Sequence, residues 1–354
     1  MRNLDDLEHL RALDPDGMMQ AVVSFPDQVK SASKILPDFD RGNYQGINKI
    51  VVSGMGGSAI GGDLLRTYLA ESFALPVVVV RNYELPGFVD EQTLVFIVTF
   101  SGNTEETLGC FEDACQKKAR IIGISSNGKL EKLCKERNIP CLLVPRGGQP
   151  RAALGYLFLP LLKVLDYLGL ISFSADEISE VHLILQQLLE KYRPEIPLAD
   201  NPAKLLAKNL ESKIPLIYAS SPRLEAIAWR WKDQLNENGK TFAICNTFSE
   251  LNHNEIVGWS SLKEITAHFY LVILRDKKDF SRFNLRVEIT KDILKDKVAG
   301  IQEVWTAGEY LLSRLLSLIY LSDFVSVYLA LLYGFDPTRI ANIDYLKKEL
   351  AKVK

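Results

Sequence analysis

Two segments rich in glycine and hydroxyl side chains have the residue types needed to hold an anion. The first is Ser53-Gly54-Met55-Gly56-Gly57-Ser58-Ala59-Ile60-Gly61-Gly62, between a strand-like run and a helical pattern. Gly54, Gly56 and Ala59 satisfy the spacing G-x-G-x-x-G/A of dinucleotide-binding turns. The underlying physics is broader. Glycines let backbone N–H groups approach an anion, and a helix N-terminus favours its charge. The segment fits a phosphate, a carboxylate, or a tight strand–helix turn with no ligand. The second segment is Thr99-Phe100-Ser101-Gly102-Asn103-Thr104-Glu105-Glu106-Thr107, again where a strand passes into a helix. The hydroxyls of Thr99, Ser101 and Thr104 can surround one phosphate beside the helix N–H groups. A dinucleotide would not need this second loop, whereas a sugar phosphomonoester would use it. The plainer alternative is helix capping. A full capping box from Ser101 needs Glu or Gln three residues on, and Thr104 stands there, so Ser101 would cap alone.

Other chemistries find little support. His9, His182, His253 and His268 are dispersed, and no H-x-H, H-E-x-x-H or Cys/His cluster suggests a metal. Neither a metal nor a cofactor is expected. Cysteines 110, 115, 134, 141 and 245 are odd in number and lack CxxC spacing, as for free thiols in a reducing compartment. With 42 Lys and Arg against 44 Asp and Glu, the net charge is −2, and no basic stripe invites nucleic acid. Trp229, Trp231, Trp259 and Trp305 fit core or interface positions better than a base-stacking platform. The N-terminal stretch MRNLDDLEHLRALDPDG is acidic and has no apolar h-region, so a cytoplasmic protein is expected. The apolar stretch 311–332 approaches the length of a membrane span. It carries Arg314 and Asp323, which are costly in lipid, and is expected to be a buried helix on a sheet.

The elements that position these residues follow from patterning. The 354 residues suggest two domains. INKIVVSGM, PVVVVRNY, TLVFIVTF, RIIGISSN and CLLVP are strand-like runs separated by helical patterns. Continuous β-branched runs of this kind indicate a parallel sheet buried on both faces. A helix is expected from about Ala152 to Leu168. ADEISEVHLILQQLLEKY leads into Pro194, Pro197 and Pro202 and looks like a connection. In the second half KIPLIYAS and AHFYLVILR are strands, and RLEAIAWRWKDQLNEN is a helix ended by Gly239. Two α/β halves make a pseudo-repeat plausible on pattern alone.

The glycine/serine loop followed by T-x-S-G-N-T-E-E-T is similar to the sugar isomerase (SIS) domain. GGQPRAALGY (147–156), RWKDQLNENGK (230–240), ELNHNEIVGW (250–259) and DFVSVYLALLYGFDPTRI (323–340) add to the match. Together these motifs resemble the bifunctional phosphoglucose/phosphomannose isomerase family, over roughly residues 45–350. The resemblance implies an α/β protein of two SIS domains, each a parallel five-stranded-type sheet between helix layers. The expected limits are 1–170 and 203–354, joined by a helical linker at 171–202. It also implies a homodimer with shared active sites. The activity implied is cofactor-free interconversion of glucose 6-phosphate and mannose 6-phosphate with fructose 6-phosphate. Carried over residue by residue, Gly57, Ser58, Thr99, Ser101 and Thr104 would bind the phosphate. Thr99 stands where the family often has Ser, which keeps the hydroxyl. Arg151 would face the developing enediolate. Glu237 and His253 would be the base and the ring-opening residue. Lys347 would match the family's C-terminal lysine, with Lys348 adjacent.

The chemistry of these residue types agrees with those roles. Aldose–ketose isomerisation moves a proton between C1 and C2, which a carboxylate of raised pKa can do. Glu237 falls in the last turn of its helix, where the negative helix end opposes ionisation. On position alone it would be a solvated helix-end carboxylate. His253 lies in the polar run Asn252-His253-Asn254-Glu255, and an imidazole titrating near neutrality can exchange protons during ring opening. Alone, it would be an ordinary loop histidine. Two other function classes use some of the same residues. A SIS module that senses sugar phosphate without turnover would need Ser58, Ser101 and Thr104 but not Glu237 or His253. Such regulators carry a DNA-binding or partner domain, for which the acidic segment before the first strand is short. An NADP-dependent reductase would use Gly54, Gly56, Ala59 and Arg81.

Overall fold

The computed structural model describes residues 3–352. The chain forms two compact units. One comprises Ser24–Gln186 and Ala307–Leu316, and the other Met1–Val23, Gln187–Thr306 and Ser317–Lys354.

The first unit holds five strands: β1 (Lys49–Ser53), β2 (Val77–Val80), β3 (Thr93–Val98), β4 (Arg120–Ser125) and β5 (Cys141–Leu143). They pair in parallel in the order β2-β1-β3-β4-β5. Every residue of β3 is buried, as a strand covered on both faces requires. Between the strands run α1 (Gly57–Leu69), α2 (Glu105–Gln116) and α3 (Gly128–Glu136), with α4 (Leu154–Tyr167) after β5. Val51, Val95, Ile97, Phe111 and Leu130 form a core beneath α2 and α3. α4 packs across α1 so closely that a Cβ on Gly61 would lie 2.9 Å from the Leu157 carbonyl oxygen. The strand order reverses between β1 and β3. In open α/β sheets, ligands bind at such a switch point, beyond the carboxyl ends of the strands.

The second unit holds β6 (Ile214–Ala219), β7 (Ile244–Thr247), β8 (Phe269–Arg275) and β9 (Gly300–Trp305), all parallel in the order β7-β6-β8-β9. This sheet has four strands, one fewer than the five-stranded type expected. β6 and β8 match the apolar runs in the sequence. β7 (ICNT) and β9 (GIQEVW) do not stand out there, because both mix polar with apolar residues, and in them only Thr247 and Val304 are buried. Its helices include α5 (Glu225–Glu237) and α6 (Ser281–Leu294), and its core gathers Leu216, Tyr218, Phe248, Leu271, Ile273 and Val287.

α7 (Leu311–Tyr333) is the long apolar helix. It is long and apolar enough to cross a membrane, yet it is buried within the chain. Its charges are explained by partners. Asp323 pairs with Arg230 of α5 through Nη2 at 3.0 Å and accepts from Gln234 Nε2 at 2.7 Å. Arg314 donates to the Glu309 carbonyl at 2.6 Å. Burial pushes the Asp323 carboxyl above its ordinary pKa, while Arg230 and Gln234 oppose the shift. The final helix, α8 (Ala341–Leu350), has no buried residue.

Candidate active site

The two loops singled out in the sequence leave neighbouring strands. β1 and β3 run side by side with Ser53 opposite Ile97, so the segments after them emerge at the same sheet edge. They are also tied directly to each other. The Phe100 N–H donates to Ser58 Oγ at 3.2 Å. A Cβ on Gly54 would lie 2.9 Å from the Val98 carbonyl oxygen. Gly56, the N-cap of α1, has φ +48°, a conformation that L side chains resist, and supplies no side-chain cap. Gly57 opens α1, and its position excludes a side chain: a Cβ there would meet the Pro150 carbonyl carbon at 2.8 Å and the Arg151 nitrogen at 2.9 Å.

That approach brings Arg151 into the same region from 94 positions further along the chain. Arg151 lies in a short turn, Pro150–Ala152, and is only 3% exposed. Its Nη1 is 3.4 Å from Gln149 Oε1. Gln28 clamps the turn from outside. Its Nε2 donates to the Ala152 carbonyl at 2.8 Å, and its Oε1 accepts from the Gly155 N–H at 2.6 Å.

The second loop is not merely a helix cap. The N-cap of α2 is Thr104, not Ser101, and the Thr104 side chain does not cap. Its hydroxyl instead shares a 2.9 Å hydrogen bond with Thr99 Oγ1. Thr99 is buried, and its backbone N–H reaches the Ile124 carbonyl at 3.1 Å. Ser101 is exposed and accepts a 3.3 Å bond from the Asn103 N–H. Thus Thr99, Ser101 and Thr104 line one turn at the start of α2, where Glu105 and Glu106 also lie. The start of α3 braces this turn from behind. The Leu130 N–H donates to the Gly102 carbonyl at 3.0 Å, and Ser126 Oγ to the Phe100 carbonyl at 2.6 Å. Gly102 has φ +70°, and a Cβ on it would lie 1.7 Å from the Asn127 carbonyl oxygen. Gln28, Ser126 and Gly128 escape a sequence reading. Only the glycine after Ser125-Ser126-Asn127 hints at a turn there.

The other three candidates belong to the second unit. Glu237 ends α5 and is half-buried. It lines a cleft of about 640 Å³ with Asn236, Lys240, Phe335, Asp336 and Arg339. Lys240 donates through Nζ to the Glu237 carbonyl and, at 3.1 Å, to the Pro337 carbonyl. His253 is exposed in the turn after a short helix, Phe248–Leu251, with its backbone N–H on the Glu250 carbonyl at 2.9 Å. Lys347 and Lys348 are both exposed on α8. Neither His253 nor Lys347 contributes to the lining of the Glu237 cleft. Arg81, which a 2′-phosphate would require, is engaged with Asp63. No group of three His, Cys, Asp or Glu side chains converges on a metal-sized site among the described residues.

Comparison with known proteins agrees with this architecture. The family described as "SIS domain" matches residues 44–142, and "Bacterial phospho-glucose isomerase C-terminal SIS domain" matches residues 199–350. The bifunctional phosphoglucose/phosphomannose isomerase of Caldicellulosiruptor bescii is 46% identical over 338 residues, covering 95% of this chain and 100% of that protein. The chain belongs to the bifunctional phosphoglucose/phosphomannose isomerase family. The Aquifex aeolicus member is 41% identical, with coverage of 87% of this chain and 91% of its own. A Thermus thermophilus protein of solved structure, TT0462, shares the fold at a TM-score of 0.76 with 16% identity, covering 98% of this chain and 94% of that one. In family terms, the SIS match on the first unit contains both hydroxyl-bearing loops, and the C-terminal match contains Glu237, His253 and Lys347.

Proposed function

We propose that this isomerase-family chain interconverts glucose 6-phosphate and mannose 6-phosphate with fructose 6-phosphate through a cis-enediolate, without a cofactor. The observation that carries the reading is the pair of joined loops at the β1/β3 switch point, with Thr99 and Thr104 hydrogen-bonded across one turn. Two helix N-termini, those of α1 and α2, open there without side-chain caps. Their backbone N–H groups suit a phosphate dianion, which helix N-termini favour. In this proposal Gly57 admits the phosphate close to the backbone, and Ser58, Thr99, Ser101 and Thr104 direct hydroxyls to it. Arg151 stabilises the negative charge that develops on the enediolate oxygen. Glu237 removes and returns the proton between C1 and C2. His253 passes protons during opening of the sugar ring. Lys347 contacts the substrate from α8.

The same proposal makes the protein a cytoplasmic homodimer with shared sites, the ring-opening histidine coming from the partner subunit. α7 cannot provide the dimer surface, since its apolar residues are already buried within their own chain. Apolar surface remains on α6, where Leu285, Ile289 and Ile293 are exposed at four-residue spacing, and on α8, where Leu346 and Leu350 are exposed.

The decisive experiment separates the two proton-transfer steps. With chelator present throughout, Glu237→Gln should abolish isomerisation and solvent deuterium exchange at C2, even from open-chain substrate. His253→Ala should lose turnover of the cyclic sugar but keep exchange with the open-chain form. General acid–base groups contribute about 10²–10⁴-fold, so each loss is readable. Exchange by Glu237→Gln at the wild-type rate would transfer the base role to another residue. Loss of activity to chelator, restored by zinc, would remove the cofactor-free reading.

A further inference from the structure

Outside the proposed site, the first unit contains a cluster of thiols. Cys110 and Cys134 are buried in the core under α2 and α3, and Cys115 and Cys141 pack against it half-buried. Two of them converge. Cys134 is in the last turn of α3, and Cys141 begins the edge strand β5, directly opposite Gly123 of β4. A Cβ on Gly123 would lie 3.0 Å from Cys134 Sγ and 3.0 Å from Cys141 Sγ. The two sulfurs therefore occupy the space above Gly123 that a side chain would take.

We infer that Cys134 and Cys141 are a modification site: a dithiol that a hydroperoxide oxidises reversibly to an intrachain disulfide. The pair is asymmetric in the way such chemistry needs. Cys141 is half-buried on the edge strand β5, which makes it the more accessible of the two to a small oxidant, whereas Cys134 is fully buried. The neighbouring Cys134 thiol pulls the Cys141 thiol below its ordinary pKa, against burial. The same pairing, with burial, pushes Cys134 up. Cys141, the more accessible thiol, is thus the one that reacts first and Cys134 the resolving thiol.

The steps balance. The Cys141 thiolate attacks one oxygen of hydrogen peroxide, the O–O bond breaks, and hydroxide leaves with Cys141 as the sulfenic acid. The Cys134 sulfur then attacks Cys141 Sγ. The S–O bond breaks, the S–S bond forms, and the departing hydroxyl takes the Cys134 proton and leaves as water. Two electrons pass from the two sulfurs to the peroxide.

The place of the pair gives the modification a path to the loops described above. α3 braces the 99–104 turn with its first residues, through Leu130 and Gly102, and holds Cys134 near its other end. β5 starts at Cys141, and the chain continues from it to the turn that holds Arg151. A disulfide would join these two supports covalently.

The test is oxidant titration of the intact protein, followed by alkylation and tryptic mapping. Trypsin separates Cys134, in fragment 133–135, from Cys141, in fragment 138–146. The expected result is a mass loss of about 2 Da per chain and the two fragments joined, both reversed by dithiothreitol. In Cys134→Ser, a dimedone adduct should accumulate on Cys141 instead. Cys134→Ala serves if serine in the core prevents folding, and the wild-type map is decisive without either variant. Three results would overturn the inference: a link from Cys134 to Cys115, cross-links only between chains, or Cys141 advancing to sulfinic acid unlinked. Five alkylated thiols at oxidant levels that consume an exposed model thiol would overturn it too.

Discussion

Among single residues, Thr104 shows how local chemistry departs from the simplest expectation. A threonine at an N-cap ordinarily accepts from its own helix. Here its hydroxyl bonds Thr99, leaving the first-turn N–H groups of α2 without that cap. A double replacement, Ser101→Ala with Thr104→Val, removes two donors from the proposed phosphate site. Each lost bond to a charged group costs roughly 1.5–3 kcal/mol, so KM should rise by at least about tenfold per hydroxyl while kcat changes less. Steady-state kinetics on fructose 6-phosphate checks this, and an unchanged KM would put the phosphate elsewhere. Ser101→Ala alone makes a clean control. Ser101 is exposed, so its loss should alter the unfolding free energy by no more than about 0.5 kcal/mol.

Where elements meet, the glycines record how closely backbones approach. Gly102 holds the 99–104 turn against the start of α3, where its missing Cβ would fall 1.7 Å from the Asn127 carbonyl oxygen. Gly102→Ala meets two penalties, a positive φ and a backbone clash, which together cost about 2–6 kcal/mol. The urea midpoint should fall sharply. Gly46→Ala is the comparison, with φ +72° but nothing within 4 Å of the added carbon. It should show only the strain penalty, about 1–3 kcal/mol. Equal losses at the two positions would mean that the loop can move away from α3.

At the level of the whole molecule, the buried pair Arg230–Asp323 fixes how α7 lies on α5. Asp323→Leu would remove the carboxylate that pairs with buried Arg230 and should destabilise by about 3–5 kcal/mol in denaturant unfolding. Pairing it with Arg230→Met should recover most of that loss, because two apolar groups leave no unpaired charge. No recovery would show that packing, not charge, dominates there. Assembly is the other property at this scale. The protein should sediment at twice the 39.8 kDa chain mass. Leu285→Glu with Ile289→Arg on the exposed stripe of α6 should shift it toward the single-chain mass. A wild-type monomer that is fully active at assay concentration would contradict shared sites.

The sequence by itself determined the first sheet and both of its loops. Strands covered on both faces must be continuously apolar, and so β1, β3 and β4 are legible as KIVVS, TLVFIV and RIIGIS. Turns that need positive φ or close backbone approach select glycine, and so Gly56 and Gly102 were visible as punctuation. The motifs around them were specific enough to indicate the family. The tertiary structure alone decided the rest. β7 and β9 are half-buried strands that mix polar with apolar residues, and so leave no continuous apolar run to read. The apolar run of α7 reads as a buried helix, but only packing shows that the chain itself buries it. The contact of Gly57 with Arg151 and the grip of Gln28 on the following turn join residues far apart in sequence. Periodicity reports which face of one element is buried. It does not report what that face is buried against, and the shape of a binding site depends on that contact.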